Sequence, residues 1–470
     1  MSDLPEQDRI DADSADSSLY TEEGHLKPEL PRIVAEAIEN GDQSDVIDLT
    51  APLHASELAD LLEALEPVQR IRLVGLAGDE FDLSSLTEVD EAIRLEIAKS
   101  LPVRRLAEAM RSLDSDDAVY ILEDLEKKDQ GEILAHLPVD ERLLIKRALG
   151  YPEESAGRRM QTDFIAVPPF WKIGQTIDYM REDKNLPDRF YEIFVVSPKY
   201  ELLGTVQLDK LLRTGRSASI EDIMEESVHP IDANMDQEEA ARIFQQYDLL
   251  SAAVVDEGRR LVGVITIDDI VDVIDQEADE DIKRLGGVGD EELSDTVLEI
   301  TRSRFFWLLV NLCTAIVASV VIGMFDATIQ QMVALAVLMP IVASMGGNAG
   351  TQTMTVAVRA LATRDIDAYN TRRIIRREVL VGLLNGSAFA VLIGLAAGFW
   401  YGNLDLGLII AFAMVFNMLC AALAGILIPI VLQKLHVDPA VASSVFVTTV
   451  TDVVGFFAFL GAAAWWFQIG

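Results

Sequence analysis

Val447-Thr448-Thr449-Val450-Thr451-Asp452-Val453-Val454-Gly455 lies inside the apolar run Ala440–Phe467, and a carboxylate in such a run decides how the chain is read. A bilayer core about 30 Å thick is crossed by roughly 20 helical residues, so this run is long enough to span one. An ionisable group at mid-bilayer costs on the order of 2.5–3.5 kcal/mol on insertion scales and normally faces a polar interior or an ion path. Ser444, Thr448 and Asp452 recur at i, i+4 and i+8, one polar stripe along a helix, and Gly455 beside them leaves room. The alternative is a protonated Asp452 bonded to a neighbouring helix.

Working outward, Phe305–Met324, Met332–Met345 with its continuation, Val379–Trp400 and Leu406–Leu432 are four further spans. Five spans put the termini on opposite sides. Arg302 and Arg304 precede the first span, and Arg359, Arg364, Arg372, Arg373, Arg376 and Arg377 crowd the loop after the second. Lys434 follows the fourth, whereas the loops around Asp326 and Gly402–Asp405 carry no Lys or Arg. The positive-inside rule therefore expects a cytoplasmic N-terminus and Gly470 outside, in a cell inner (plasma) membrane. Met1–Tyr20 has no basic n-region and no apolar core, so no signal peptide is expected there.

The second span ends in Pro340-Ile-Val-Ala-Ser-Met345-Gly346-Gly347-Asn348-Ala349-Gly350-Thr351-Gln352. Glycines and amides at membrane depth are tolerable where a helix opens its carbonyls toward a watery cavity, or where glycines let helices pack closely. Asn348 and Gln352 are one turn apart and share a face. Carboxylate, amide and carbonyl oxygens together suit a hard cation, and Mg²⁺ gives up its water reluctantly. This chemistry does not by itself exclude Ca²⁺, Mn²⁺ or a proton.

The charge is divided as sharply as the hydropathy. Residues 1–300 hold 70 of the 77 acidic and 30 of the 39 basic residues, so they carry −40 and the rest +2. A soluble acidic part joined to a membrane part is the simplest account, and no nucleic-acid partner is expected. Cys313 and Cys420 both lie in apolar runs, and no Cys/His cluster suggests zinc.

Residues 1–29 read as an acidic, disordered tail. Residues 30–150 are helical in pattern, and Leu65-Glu66-Pro67, Leu101-Pro102 and Leu137-Pro138 place a proline-marked break every 36 residues. Stacked helix pairs or an ordinary bundle follow. Over 151–274 short β-runs alternate with helices and repeat at an offset of 59. Glu192–Val196 precedes Leu203–Asp209 as Ser251–Val255 precedes Val262–Asp268. This part resembles a tandem CBS pair, an adenosine-ligand and regulatory module. Its Gly-…-Thr-x-x-Asp turn is whole in the second unit (Gly263, Thr266, Asp269), while the first has Gly204, Gln207 and Lys210. The resemblance implies nucleotide binding, possible for ATP, at Thr266 and Asp269, or else a purely structural pair. Residues 275–300 are an acidic connecting segment; from Asp268 on, the apolar Val271, Ile274 and Ile282 suggest a helix, and Gly286-Gly287 would end it.

The Pro340…Gln352 segment, the run Asp438-Pro439-Ala440-Val441-Ala442-Ser443…Asp452 and this order of parts together resemble the MgtE family of magnesium channels. The chain departs from the family at Ser443-Ser444, where a Gly-Pro or an amide often stands. The implied architecture is a multidomain membrane protein: an α-helical repeat domain, an α/β tandem CBS pair and a five-helix transmembrane domain over 301–470. The implied assembly is a homodimer in membrane lipid, with the pore on the two-fold axis. The implied pore ligands are Asp452, Thr448, Ser444, Asn348 and Gly347. The resemblance further implies Mg²⁺ uptake closed by cytosolic Mg²⁺ on a regulatory set of Asp236, Glu238, Asp248, Asp269, Asp272, Glu277 and Glu280. Asp116 and Asp117 are further partners without an assigned place. The 275–300 helix resembles the family's plug. A coupled carrier or exporter of Mg²⁺, Co²⁺ or Mn²⁺ is the competing reading. An enzyme is not expected, because no nucleophile–base set or phosphate loop appears.

Overall fold

Residues 21, 26–184, 186–187, 189–289, 291, 296–364, 366, 369–435 and 437–468 are described by the computed structural model, the side chains of 441–443 excepted. Most of the expected tail, and 290 and 292–295 of the connecting segment, lie outside these residues. The chain forms two compact units, Met1–Asp275 and Gln276–Gly470.

The first unit opens with α1 (Glu29–Asn40), α2 (Gln43–Thr50), α3 (Ala55–Ala64), α4 (Pro67–Ala77), α5 (Glu91–Ser100) and α6 (Val103–Met110). Helices α7 (Ser115–Glu123), α8 (Lys127–His136) and α9 (Val139–Ala148) follow. The proline breaks work as chain chemistry requires. Leu101 and Leu137, each just before a proline, are extended with ψ of 143° and 152°, and a helix stops at each. Pro67 opens α4 at its first turn, where its missing N–H costs nothing. The leucines at these breaks, Leu65, Leu101 and Leu137, all turn inward into one core with Leu61, Leu62, Ile97 and Leu122.

The repeat at offset 59 is visible in hydrogen bonds. One sheet has order β1 (Ala166–Val167), β2 (Glu192–Val196), β3 (Leu202–Gln207), the other β4 (Ile231–Asp232), β5 (Ser251–Val255), β6 (Leu261–Thr266). Each begins with a parallel pair and ends with an antiparallel one. Val195 lies opposite Gly204 and Val254 opposite Gly263, and both sheets shift register one residue later. Leu202 donates its N–H to Arg259 O (3.1 Å), and Leu261 donates to Tyr200 O (2.9 Å). Tyr200 and Arg259 both have positive φ, 66° and 57°, so the same strained turn recurs. Phe194, Val196, Leu202, Ala253, Val255, Leu261 and Val264 make a core shared by the two repeats. Helices α10 (Ile173–Glu182), α11 (Leu208–Arg213) and α12 (Gln237–Tyr247) flank these strands.

Helix α13 spans Ile267–Leu285. The helix expected from 275 is thus the continuation of one that begins at the Thr266 turn. Its buried positions are Ile270 and Val273, with Ile274 packed against the same core, while Val271 and Ile282 are exposed. It ends at Leu285, and Gly287, with φ of 73°, carries the left-handed turn that follows.

The second unit has five helices long and apolar enough to cross a membrane: α14 (Val297–Gly323), α16 (Ala334–Ala362), α17 (Thr371–Tyr401), α18 (Leu404–Lys434) and α19 (Pro439–Phe467). A short α15 (Asp326–Gln331) precedes α16. Helices α17 and α18 meet through small residues every fourth position: Gly382, Gly386, Ala390, Gly394 and Gly398. A Cβ on Gly407 would stand 2.5 Å from Gly394 O, so the two backbones touch where side chains would separate them. Gly407→Leu is expected to lower the melting temperature in detergent by about 5 °C or more, through overpacking against a backbone that cannot give. Gly323→Leu, whose Cβ meets nothing within 4 Å, should leave it nearly unchanged.

Candidate functional site

In the membrane unit α16 stays helical from Ala334 to Ala362, through Pro340 and all of Gly346–Gln352. The expectation that this helix opens its carbonyls over Gly346–Gln352 is therefore corrected: it is continuous helix there, and Gly346 and Gly350 serve packing. A Cβ on Gly346 would overlap the Asn417 carboxamide, and one on Gly350 would lie 2.6 Å from Val447 Cγ1. Gly347 differs, since its Cβ would meet only Thr451 Oγ1, at 4.0 Å. Asn348, Thr351 and Gln352 are exposed on this helix.

On α19 the stripe is half-buried at Ser444, exposed at Thr448 and half-buried at Asp452. Thr448 Oγ1 donates to Ser444 O (2.9 Å), and Thr451, buried toward α16, donates to Thr448 O (3.0 Å). Among the described residues Asp452 accepts no hydrogen bond and pairs with no cation. Gly455 does not leave the room expected beside the stripe, because the Asn417 carboxamide fills it, 2.8 Å from where a Cβ would stand. Asn417 was missed in the sequence reading. It is completely buried, and its Nδ2 donates to Val342 O at 2.8 Å. The available signal was one amide inside the apolar run 406–432.

The first unit gathers carboxylates at the start of α7. Asp116 is only 7% exposed, and its Oδ1 has no hydrogen-bond partner. Burial first, then the neighbouring Asp269 and Asp117 carboxylates, push its pKa well above the usual carboxylate range. Asp269, also raised chiefly by burial, shares a side-chain hydrogen bond with Asp116 and accepts from Thr266 N (3.3 Å) and Oγ1 (2.7 Å). Two carboxyls at such a contact keep one proton between them. Asp117 is pushed up to about 7 by burial and by Asp114, Asp269, Glu88 and Asp272. Asp272 is raised by burial and by Asp268 and Asp275, against a lowering pull from Arg159.

At the other end of α7, Glu123 pairs with Arg158 (3.3 Å) and Arg159 (3.6 Å), and Tyr120 lies under the guanidinium groups of Arg94 and Arg159. Thr162 N donates to Ser115 Oγ at 2.7 Å. Helix α7 is thus held by ion pairs at its C-terminal end, while its N-terminal end, bonded at Ser115, carries carboxylates that repel one another. Among the described residues no three His, Cys, Asp or Glu side chains converge closely enough to hold a bare metal ion.

The other expected regulatory acids do not join this cluster. Asp236 caps the start of α12, accepting from Glu238 N (2.9 Å), and Asp248 closes its end in the left-handed region. Eleven helical residues, about 16 Å, separate them, so they cannot share one ion. In the second unit Glu280 is bonded to Arg284, which also holds Asp438 at 2.7 Å, the residue capping α19. Glu277 lies one turn earlier on the same helix.

Family models match three stretches: a divalent cation transporter over 339–462, an MgtE intracellular N domain over 53–154 and a CBS domain over 220–276. A Thermus thermophilus protein named magnesium transporter MgtE is 30% identical over 446 residues, 93% of this chain and 98% of its own length. One of the same name from Enterococcus faecalis is 35% identical over 320 residues, 68% of this chain and 71% of its own. A solved structure of the cytosolic domain of the Mg²⁺ channel MgtE with ATP is 27% identical. It covers 52% of this chain and 99% of that one, with a TM-score of 0.48.

The raised carboxyls fix a pH dependence. A free aspartate loses its proton near 3.8, whereas the packed Asp117 keeps its own up to about 7. Packing of α7 on the Asp269 turn is therefore fully favoured below about 3.8 and is lost as pH rises through about 7. With divalent ions chelated, amide exchange across Ser115–Glu123, corrected for intrinsic rate, should be slower at pH 5 than at pH 8. Added Mg²⁺ should slow it at pH 8 far more than at pH 5.

Proposed function

The chain belongs to the MgtE family of magnesium transporters, and from that premise we propose that it is a Mg²⁺ channel for uptake, closed by Mg²⁺ on its own acidic domains. The observation that carries the path is Asp452, a carboxylate without a protein partner among the described residues, on a membrane helix. Ser444, Thr448 and Asp452, with Asn348 and Gln352, leave polar surface uncovered by the chain itself. Such surface in hydrocarbon needs water or a second copy against it. A homodimer with the path between two such surfaces supplies both, with Gly347 leaving its width open. Oxygen-only groups and few charges suit hydrated Mg²⁺ passing as substrate. The basic loop supports a cytoplasmic position for the acidic domains and an outer C-terminus in an inner membrane.

Closure rests on the α7 cluster. At low Mg²⁺ the carboxylates of Asp116, Asp117, Asp269 and Asp272 repel, and α7 loosens from the turn that begins α13. At high Mg²⁺ the same groups exchange their shared protons for a hydrated divalent ion and the packed state is favoured. Asp116 Oδ1, which has no hydrogen-bond partner, supports this reading as an acceptor left for such an ion. Several ions favouring one state make the response steep. Asp236, Glu238, Asp248, Glu277 and Glu280 are outlying members of the set, Glu280 being already neutralised by Arg284. ATP at Thr266 and Asp269 is a secondary reading, and it would compete with the bond between Asp269 and Asp116.

In proteoliposomes Asp452→Ala should lower passive Mg²⁺ flux about tenfold or more, as expected when a charged contact worth over ~1.4 kcal/mol is removed. Flux that requires a pH gradient would favour a coupled carrier, with Asp452 as the protonated group, and flux unchanged in the variant would sink the path. Replacing Asp116 and Asp269 by Ala, together with Asp272→Asn, should leave the path open at Mg²⁺ concentrations that close the wild type. A normal dose response in that variant rules out the cluster as the sensor.

A further inference from the structure

The proposed path makes no use of Asn417, yet this residue lies between the two helices that form it. It is completely buried on α18, and its Nδ2 donates to Val342 O, two residues beyond Pro340. Pro340, having no N–H, leaves unpaired the carbonyl of Ala336, one turn before it, so the Asn417 bond to Val342 O is an addition to the helix rather than a replacement for the lost one. The other half of the amide, Oδ1, is buried and accepts nothing. Packing alone does not call for an amide, because an apolar residue of that size would leave no acceptor unsatisfied.

Two glycines press on the carboxamide from different helices. A Cβ on Gly346 of α16 would overlap Nδ2 and stand 2.8 Å from Cγ, and one on Gly455 of α19 would stand 2.8 Å from Nδ2. Gly346 adjoins Gly347 and Asn348, and Gly455 stands three residues beyond Asp452. The carboxamide is therefore a wedge of fixed thickness between the helix that carries Asn348 and the helix that carries Asp452.

We propose that Asn417 is a specificity-determining positioning residue: its carboxamide, bonded to Val342 O and clamped by Gly346 and Gly455, sets the separation of the α16 and α19 polar faces. This rests on the path proposed above. A fixed separation admits Mg²⁺ with its water and discriminates against an ion that sheds water more readily, such as Ca²⁺. A thinner wedge lets α16 and α19 approach, and a methyl added at either glycine forces them apart.

The test is parallel Mg²⁺ and Ca²⁺ flux in proteoliposomes of the full chain. Asn417→Ala is expected to change the Mg²⁺ to Ca²⁺ flux ratio about tenfold, with the protein still monodisperse. Gly346→Ala alone should cost most of the flux, and in the Asn417→Ala background the same methyl has space, so flux should recover. Gly455→Ala presses on the wedge with Asn417 intact and should shift the ratio even where Asn417→Ala does not fold. Mg²⁺ and Ca²⁺ flux falling together at an unchanged ratio, or no rescue of Gly346→Ala, would overturn the proposal. Asp452→Ala separates the two readings. If it conducts normally, the path itself is misplaced. If it is inactive while the wedge variants keep the wild-type ratio, only the role of Asn417 fails.

Discussion

Two carboxyl groups pressed together at the junction of α7 and α13 govern the acidic unit. Asp116 and Asp269 meet in a buried place, and like charges there cannot both ionise without a counter-ion. A purely structural contact would put an arginine opposite one of them, as Arg94 stands opposite Asp124 at 2.6 Å. Here the arginines are drawn to the other end of α7, to Glu123, and the N-terminal end is left short of positive charge. The fold thus holds α7 firmly by one end and conditionally by the other. In the proposed closure, what satisfies the second end, proton or cation, would set how tightly α7 packs on the turn that begins α13.

The membrane unit faces a different constraint. Lipid gives helices no hydrophobic reason to associate, so close backbone approach and a few polar contacts must do it. Glycine and alanine at every fourth residue of α17 let α18 approach, and Asn417 stitches α18 to α16. Leaving Asn417 Oδ1 without a partner costs about 1–3 kcal/mol if water does not reach it. A chain that accepts that cost at the meeting point of α16, α18 and α19 has fixed geometry there at the expense of stability.

Much of this was legible in the residues because it depends on local pattern. The 59-residue offset foretold matched registers, and Val195 opposite Gly204 repeats as Val254 opposite Gly263. Leu-Pro steps foretold helix breaks, since a residue before proline avoids the helical region. Hydropathy located five spans, although α16 runs on to Ala362, beyond the apolar stretch that revealed it. Partners across elements were not legible. Asp116 and Asp117 look alike in sequence, and only the fold buries the first against Asp269. That Asp236 and Asp248 stand at opposite ends of one helix, too far apart for a single ion, was not legible either. Glycines 346, 350 and 455 carried the right signal, a missing side chain, but sequence could not say whether water or a neighbouring side chain fills the gap.

Helix α13 belongs to both units, beginning at the Thr266 turn and ending at Leu285 with no break. Nineteen residues make a rod about 28 Å long, and a rod converts rotation into travel. Tilting it by about 10° around its first turn carries its far end roughly 5 Å, close to one helical pitch. Arg284, near that far end, grips the residue that caps α19. On the closure proposed above, carboxylates rearranging at the first turn of such a rod would work with mechanical advantage, a small displacement there becoming a larger one at Leu285.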